Sequence, residues 1–189
     1  MRYPLFLDVA GQPAVVIGAG SVATRKIRTL LAAGACITVI SPTATPFIVE
    51  RASRPLDPRQ RTGETPVPPY SQRVRWLRRC YRRGDLRAAR LAIAATDNPE
   101  VNELVCAEAK RRGLLVNCVA PPAAGNFIVP ALVRRGGVLL AISTGGASPA
   151  FAKQLRRDLE RFLGDGYPAL LKKMAKQWRA RRSRRTNTC

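Results

Sequence analysis

The stretch that decides the fold is Ala14-Val15-Val16-Ile17-Gly18-Ala19-Gly20-Ser21-Val22-Ala23. A short apolar run, predicted to be a buried strand, leads into Gly-x-Gly-x-x-Ala, and a helical pattern follows at once. Gly18 permits a tight turn, Gly20 lets a pyrophosphate approach the backbone, and Ala23 allows the helix to pack closely on the strand. The N-terminus of that helix offers N–H groups to phosphates. This setting favours a dinucleotide site over a purely structural glycine turn.

Strands and helices alternate over the first two thirds of the chain. Apolar runs predict strands, and helical spacing of apolar residues predicts helices; the strands are 14–18, 36–40, 74–77, 91–95 and 114–119, and the helices are 21–33 and 99–112. Residues 82–86 are predicted to form a turn that leads into a short helical stretch. Gly34 and Gly113 follow the helices, where glycine suits the left-handed C′ position. The alternation predicts an α/β fold, a Rossmann-type doubly wound parallel sheet over residues 1–120 with right-handed crossovers.

The pattern changes after residue 120. Two strands are predicted at 127–133 and 138–143, and helices at 149–163 and from Tyr167 onward, with Ser148 as N-cap and Pro149 as the first helical residue. The helix at 149–163 is predicted to be amphipathic, and its apolar face consists of Phe151, Ala152, Leu155, Leu159 and Phe162. A hairpin with helices buries little apolar surface by itself. We therefore expect a small α+β dimerisation region, with its strands within 121–148, followed by a C-terminal helical region with a basic tail over 149–189.

Composition limits the classes of protein that fit the chain. The 189 residues can bury a proper core, and no apolar run approaches the roughly 18–20 residues of a membrane span. The N-terminus lacks the features of a signal peptide. The five cysteines include no Cys-x-x-Cys, which favours free thiols in a reducing cytoplasm, and histidine, the commonest zinc ligand, is absent. We expect a cytoplasmic protein that is not membrane-bound.

The charge is strongly one-sided, with 33 basic and 12 acidic residues giving +21. Such a surface attracts polyanions, which are nucleic acid, an anionic membrane, or a small molecule with several carboxylates or phosphates. A general bias of the proteome towards arginine is the alternative explanation. Between the second and third strands, residues 55–72 are rich in proline and are predicted to form a mobile surface insertion.

The end of the second strand is where this type of sheet meets the ribose of a dinucleotide. Here the chain has Ser41-Pro42-Thr43, without the acidic residue that many NAD sites carry. It also lacks an adjacent arginine cluster that would accept a 2′-phosphate. This position therefore leaves the choice between NAD and NADP open.

Six stretches, taken in order, resemble the precorrin-2 dehydrogenase / sirohydrochlorin ferrochelatase family, the dehydrogenase part of siroheme synthase. They are 3–7, 18–26, Leu91-Ala92-Ile93-Ala94-Ala95-Thr96-Asp97, 116–119, 126–130 and Ala141-Ile142-Ser143-Thr144-Gly145-Gly146-Ala147-Ser148-Pro149. The resemblance implies NAD-dependent oxidation of precorrin-2, a polycarboxylate tetrapyrrole, in a homodimer. Some members also insert iron, so a bifunctional enzyme is the first alternative.

The resemblance also implies the residues of the site. Those near the cofactor are Gly18, Gly20, Ser21, Val22, Pro42, Thr43, Thr96 and Asp97, and the candidate catalytic residues are Asp97, Asn117 and Thr144. Thr144 replaces a serine that is common in the family. No residue is predicted to bind a resident metal.

One departure from the family bears on the chemistry. Ala120 occupies the position of the family's presumed acid–base aspartate, and an alanine neither accepts a proton nor binds iron. Chelation should suffer most from its loss, whereas hydride transfer depends more on placing the substrate against the nicotinamide. We therefore expect a dehydrogenase. The second alternative is a non-catalytic nucleotide-sensing or nucleic-acid-binding relative, although no nucleic-acid-binding motif is present.

Overall fold

The structure is a computed structural model that describes residues 3–53, 74–164 and 166–186, with side chains to residue 179. The insertion predicted at 55–72 lies outside the described residues. The chain forms two compact units, one spanning Leu5–Ile128 and the other spanning the residues from Val129 onward together with the first few residues. Each unit is described separately below.

The first unit is built on a five-stranded parallel sheet. Its strands are β1 (Pro13–Ile17), β2 (Cys36–Ile40), β3 (Val74–Leu77), β4 (Leu91–Ala94) and β5 (Leu115–Cys118), in the order β3-β2-β1-β4-β5. Within the sheet, Val16 lies between Val39 and Ile93. The chain order reverses between β1 and β4, which is the point where such sheets bind ligands. The predicted Rossmann-type fold is confirmed.

Helices cover both faces of this sheet. α1 (Ser21–Ala32) and α2 (Pro46–Ser53) pack on one face through Ala23, Ile27 and Ile48. α3 (Pro99–Arg111) packs on the other face through Val105 and Ala109. Both faces of the sheet are therefore buried, as the continuous apolar runs of β1 and β4 require.

Glycines end α1 and α3 as predicted. Gly34 and Gly113 have φ of 82° and 68°, the left-handed conformation of a C′ residue. After α3, Gly113 N–H donates to the Lys110 carbonyl and Leu114 N–H donates to the Ala109 carbonyl. These two hydrogen bonds satisfy carbonyls that the end of a helix leaves unpaired.

The connections of the first unit differ from the prediction in two places. The sequence analysis missed the short helix α2, and the helical stretch expected after Arg82-Arg83-Gly84-Asp85-Leu86 is a series of turns. The turns form because Gly84 has φ of 98° and because Arg87 N–H donates to the Gly84 carbonyl. Leu86, fully buried, fills the sheet face beside α3.

Strand β5 is one edge of the sheet, and a side chain covers part of that edge. Asn126 Oδ1 accepts from Val116 N–H at 2.7 Å, and Asn126 Nδ2 donates to the Leu114 carbonyl at 2.8 Å. The backbone N–H of Asn126 donates to the Val116 carbonyl at 2.9 Å. Asn126 therefore bonds to β5 with its backbone and with both ends of its amide.

The second unit contains an antiparallel hairpin and two helices. The hairpin is β6 (Ala131–Arg135) and β7 (Val138–Ile142), and the helices are α4 (Pro149–Leu163) and α5 (Gly166–Thr186). The prediction that the first strand begins at 127 is wrong. Phe127 N–H is bonded to the Val116 carbonyl of β5, and Pro130 has no N–H to donate to a ladder.

Helix α4 buries only part of its apolar face. Leu155 and Leu159 pack with the buried residues Val133, Ile142 and Leu163. Phe151 and Phe162, predicted on the same face, are 59% and 68% exposed. In the described part of the chain, no helix has the length and hydropathy needed to cross a membrane.

Candidate functional site

The N-terminus of α1 is open and carries no negative charge. Gly20 is the N-cap and, lacking a side chain, makes no capping bond; no acidic residue lies in the first turn. A Cβ added at Gly20 would meet no atom within 4 Å. Ser21 is exposed and Val22 is half-buried beside this open space. The free N–H groups and the positive end of the helix dipole therefore fit a phosphate group.

Gly18 serves the turn in a different way. Its φ is 98°, its N–H donates to the Ile40 carbonyl at 2.9 Å, and an added Cβ would lie 2.3 Å from the Ala95 carbonyl oxygen. Ala95 N–H in turn donates to the Ile17 carbonyl at 2.8 Å. Gly18 thus lets the ends of β1, β2 and β4 meet without a side chain between them.

The segment after β2 lies against the glycine turn. Thr45 N–H donates to the Ala19 carbonyl at 3.3 Å, and the hydroxyls of Thr45 and Thr24 are 2.8 Å apart. Pro42 and Thr43 are exposed in this segment. Two residues predicted to lie near the ribose are therefore accessible beside the turn that fits the phosphates.

A buried asparagine that the sequence analysis missed joins the ends of β4 and β5. Asn102 Oδ1 accepts from the N–H and the hydroxyl of Thr96 at 3.0 and 2.8 Å. Asn102 Nδ2 donates to the carbonyls of Thr96 and Ala120, both at 3.0 Å. Thr96 and the segment at Ala120 are thereby held together at one edge of the sheet. The available signal was Asn98 and Asn102 one helical turn apart, since Asn98 caps α3.

The polar candidates at this edge differ in burial. Asp97 is exposed directly after β4, and Ala120 is exposed after β5. Asn117 is buried within β5, where its Nδ2 donates to the Phe127 carbonyl at 3.0 Å. Its Oδ1 has no hydrogen-bond partner among the described residues. Because Leu115 and Val119 on the same strand pack with the α1 cluster, alternation places Asn117 on that face too.

Thr144 belongs to the second unit, where it shapes the start of α4. Its hydroxyl donates to the Ser148 carbonyl and accepts from Ser148 N–H, both at 3.2 Å. Ser148 Oγ accepts from Phe151 N–H at 3.1 Å, which confirms the predicted N-cap. The structure thus brings Gly18, Thr96 and Ala120 together in one unit and places Thr144 in the other.

Among the described residues, no group of three or more cysteine, aspartate or glutamate side chains is placed to hold a metal ion.

A glycine turn between the first strand and helix, at the carboxyl edge of a β3-β2-β1-β4-β5 sheet, defines the class of dinucleotide-binding α/β proteins. A family model described as "Putative NAD(P)-binding" matches residues 5–131, and one described as "Sirohaem biosynthesis protein central" matches residues 135–161. The chain belongs to the precorrin-2 dehydrogenase / sirohydrochlorin ferrochelatase family.

Individual relatives agree with this assignment. The chain is 41% identical to a siroheme synthase of Methylococcus capsulatus, over 83% of this chain and 30% of the relative. It is 37% identical to a siroheme synthase of Chromobacterium violaceum, over 89% of this chain and 32% of the relative. The chain therefore spans about a third of the length of the curated relatives it matches.

A solved structure matches more completely. The structure named "SirC, precorrin-2 dehydrogenase" superposes with a TM-score of 0.74 at 31% sequence identity, covering 93% of this chain and 78% of that one.

Proposed function

We propose that the protein oxidises precorrin-2 to sirohydrochlorin with NAD as the hydride acceptor, in the synthesis of siroheme. The observation that carries the proposal is the open, acid-free N-terminus of α1 beside the edge where Thr96, Asn117 and Ala120 lie. The similarity to a precorrin-2 dehydrogenase over most of both chains supports the substrate.

The proposed cofactor is NAD rather than NADP. This choice follows the resemblance to the family, because residues 41–46 after β2 contain neither an acid for the ribose nor an arginine or lysine for a 2′-phosphate. The N–H groups of Ser21 and Val22 would hold the pyrophosphate, and Pro42 and Thr43 would lie near the ribose. The nicotinamide, when bound, supplies the hydride acceptor.

The polar residues at the carboxyl edge supply the remaining groups of the proposed reaction. Asp97 is exposed there and takes the proton that leaves the substrate. Asn117 offers a buried, unpartnered Oδ1 that can accept a hydrogen bond. Asn102 acts as a positioning residue, because it fixes the Thr96 and Ala120 backbones without reaching solvent. Thr144, which belongs to the second unit, is also proposed as a catalytic residue.

The charge of the chain suits a substrate that carries several carboxylates. A net charge of +21 raises the local concentration of a polyanion and speeds its encounter with the site. We expect binding of the tetrapyrrole to weaken as salt rises, since exposed charges are screened within about 10 Å at 0.1 M salt.

The proposed assembly is a homodimer in the cytoplasm. Phe151, Phe162 and Met174 in the second unit are all more than half exposed, which is typical of surfaces that another chain covers. In the first unit, Cys80, Cys106 and Cys118 are thiols, the form expected in a reducing compartment.

The deciding experiment mixes the purified chain with precorrin-2 and NAD and follows the absorbance of sirohydrochlorin and NADH. We expect product to form with NAD and more slowly with NADP. The reaction without cofactor is the control. Absence of any NAD-dependent product would overturn the proposal.

We propose that the chain lacks ferrochelatase activity, because Ala120 puts a methyl group where chelation needs a carboxylate. Adding Fe(II) or Co(II) to sirohydrochlorin, with and without the protein, tests this directly. Metal insertion above the rate without protein would contradict the proposal and support a bifunctional enzyme.

A further inference from the structure

A second concave site lies in the first unit, away from the glycine turn. It is a pocket of about 330 Å³ lined by Arg83, Gly84, Arg87, Glu108, Arg111 and Arg112. Helix α3 runs back from the carboxyl end of β4 to the amino end of β5, so its last turn lies at the edge of the sheet opposite to the glycine turn. This pocket, which we call the arginine pocket, is therefore separate from the proposed active site.

The one carboxylate that lines the arginine pocket, Glu108, accepts hydrogen bonds from three neighbouring groups. Glu108 is buried and accepts from the Tyr81 hydroxyl at 2.6 Å, from Gly84 N–H at 3.1 Å and from Arg112 Nε at 3.0 Å. Burial alone would raise the pKa of Glu108, but these hydrogen bonds outweigh it and hold the pKa below its ordinary value. Glu108 is thus ionised at neutral pH and offsets one of the four guanidinium charges.

The other guanidinium groups have no such partner. Within the described residues, no carboxylate lies within ion-pair distance of Arg83, Arg87 or Arg111. Four arginines against one glutamate leave three net positive charges around the pocket. The ordinary explanation, that basic residues stabilise the end of a helix, applies to Arg111 and Arg112 on α3 but not to Arg83 and Arg87, which lie in the turns after β3.

The backbone is arranged so that the two sets of arginines meet. Gly84 has φ of 98°, and a Cβ there would lie 3.3 Å from Arg87 Nε, so a bare glycine lets the Arg87 side chain lie against the turn. The Gly84 N–H donates to the carboxylate of Glu108, and this hydrogen bond connects the turn to α3. At the end of α3, the carbonyls of Ala109 and Lys110 already accept from the backbone N–H groups of Leu114 and Gly113.

We propose that the arginine pocket binds an oligophosphate, either free or as the phosphate chain of a nucleotide. One guanidinium group can donate two parallel hydrogen bonds to a phosphate group. An oligophosphate also concentrates several negative charges in a small volume. A pocket of about 330 Å³ is at the small end of ligand sites, which suits a compact polyanion. This proposal is independent of the proposed function.

The test is calorimetric titration of the full chain with sodium tripolyphosphate in about 0.15 M salt, with saturating NAD present to fill the glycine turn. The pocket variant is R83Q/R87Q. The matched control is R75Q/R90Q, which removes the same charge from two exposed arginines of the same unit that do not line the pocket. Circular dichroism and thermal unfolding confirm that both variants fold.

We expect one tripolyphosphate to bind per chain. Its dissociation constant should rise at least about tenfold in the pocket variant, which corresponds to about 1.4 kcal/mol, and less than about twofold in the control. ATP in place of tripolyphosphate distinguishes a nucleotide from a free oligophosphate. Equal losses in the two variants would overturn the proposal, since binding would then follow total charge. It would also be overturned by citrate binding as tightly as tripolyphosphate, or by a short DNA duplex binding through the pocket when tripolyphosphate does not.

Discussion

At the scale of single residues, the two glycines of the turn do different work. Gly18 is buried where a side chain would strike the Ala95 carbonyl, whereas Gly20 faces open space. Gly18 is therefore required by the fold, and Gly20 is available to a ligand. The spacing already assigned Gly18 to the turn and Gly20 to the pyrophosphate. It could not show that the carbonyl of Ala95, just after β4, lies against Gly18.

The two glycines can be tested as a pair. We expect Gly18→Ala to lower the free energy of unfolding by at least about 2 kcal/mol, because φ of 98° strains any residue with a Cβ and the new atom overlaps the backbone of Ala95. Gly20→Ala, with φ of −74°, should leave stability within about 0.5 kcal/mol of the unchanged chain. Urea unfolding measures both.

The same pair separates folding from cofactor binding. Gly20→Ala should weaken NAD binding by about tenfold, since its methyl group occupies the space in front of the helix N-terminus. Fluorescence titration with NAD measures this. Unchanged affinity in folded Gly20→Ala would contradict the placement of the pyrophosphate.

Ala120 offers a test of gained function. It is exposed after β5, where its carbonyl accepts from Asn102, so an aspartate side chain there can extend into solvent. We expect Ala120→Asp to accelerate insertion of Co(II) into sirohydrochlorin while NAD-dependent oxidation changes little. Ala123→Asp, on a nearby exposed residue, is the matched control. Equal chelation by the two variants would show that position 120 has no special role.

Asn102 shows why some of the site could not be predicted. Helical periodicity identifies apolar positions, so it does not mark a polar side chain on the buried face of α3. Apolar spacing does not ensure burial either, since Leu104 lies at helical spacing with the buried Val105 and Ala109 but is 48% exposed. The role of Asn102 depends on the position of the Ala120 carbonyl, which lies 18 residues further along the chain.

At the scale of elements, the strands of the sheet could be predicted because both faces are buried and their apolar runs are continuous. The connections could not. α2 has only 8 residues and one fully buried side chain, Ile48, so its periodicity is too short to recognise. The start of β6 was misplaced because an apolar run does not reveal which of its residues are bonded to another strand.

Two carboxylates hold the connection from β3 to β4, the buried Glu108 and the half-buried Asp85, and this gives a prediction for pH. Hydrogen bonds to Glu108, and an ion pair between Asp85 and Arg79, hold both carboxyl pKa values below their ordinary range. A group with a lowered folded-state pKa stabilises the fold above its unfolded pKa, and this contribution disappears as pH falls through the folded value.

We therefore expect the free energy of unfolding to fall as pH drops below about 4.5 and to fall less steeply in Glu108→Gln, which has no charge to lose. Urea unfolding between pH 3 and pH 7 measures the slopes. Glu103→Gln, an exposed residue of the same helix, is the control and should follow the unchanged chain. Parallel curves for all three proteins would mean that Glu108 does not contribute in this way.

At the scale of the whole molecule, the exposed aromatic residues of α4 bear on assembly. The prediction that Phe151, Leu155, Leu159 and Phe162 share one face is compatible with the helix, but the unit itself covers only the two leucines. The remaining aromatic surface is what a second copy of the chain would bury.

We expect the chain to sediment as a dimer and the variant F151S/F162S to dissociate at least about tenfold more readily, because each serine removes an apolar contact. Analytical ultracentrifugation over a range of concentrations measures the equilibrium. Leu104→Ser, an exposed apolar residue of the first unit, is the control and should remain dimeric. A monomer at all concentrations in the unchanged chain would contradict the proposed homodimer.

The edge of the sheet at β5 has a consequence for the behaviour of the protein in a crowded solution. An open parallel strand is a template on which the strand of another molecule can grow. By bonding Val116 N–H and the Leu114 carbonyl, the amide of Asn126 occupies the groups that such a strand would need. Asn126→Ala should therefore aggregate faster than the unchanged chain, measured by light scattering. We therefore expect Asn126 to protect the β5 edge of the sheet from pairing with a neighbouring molecule.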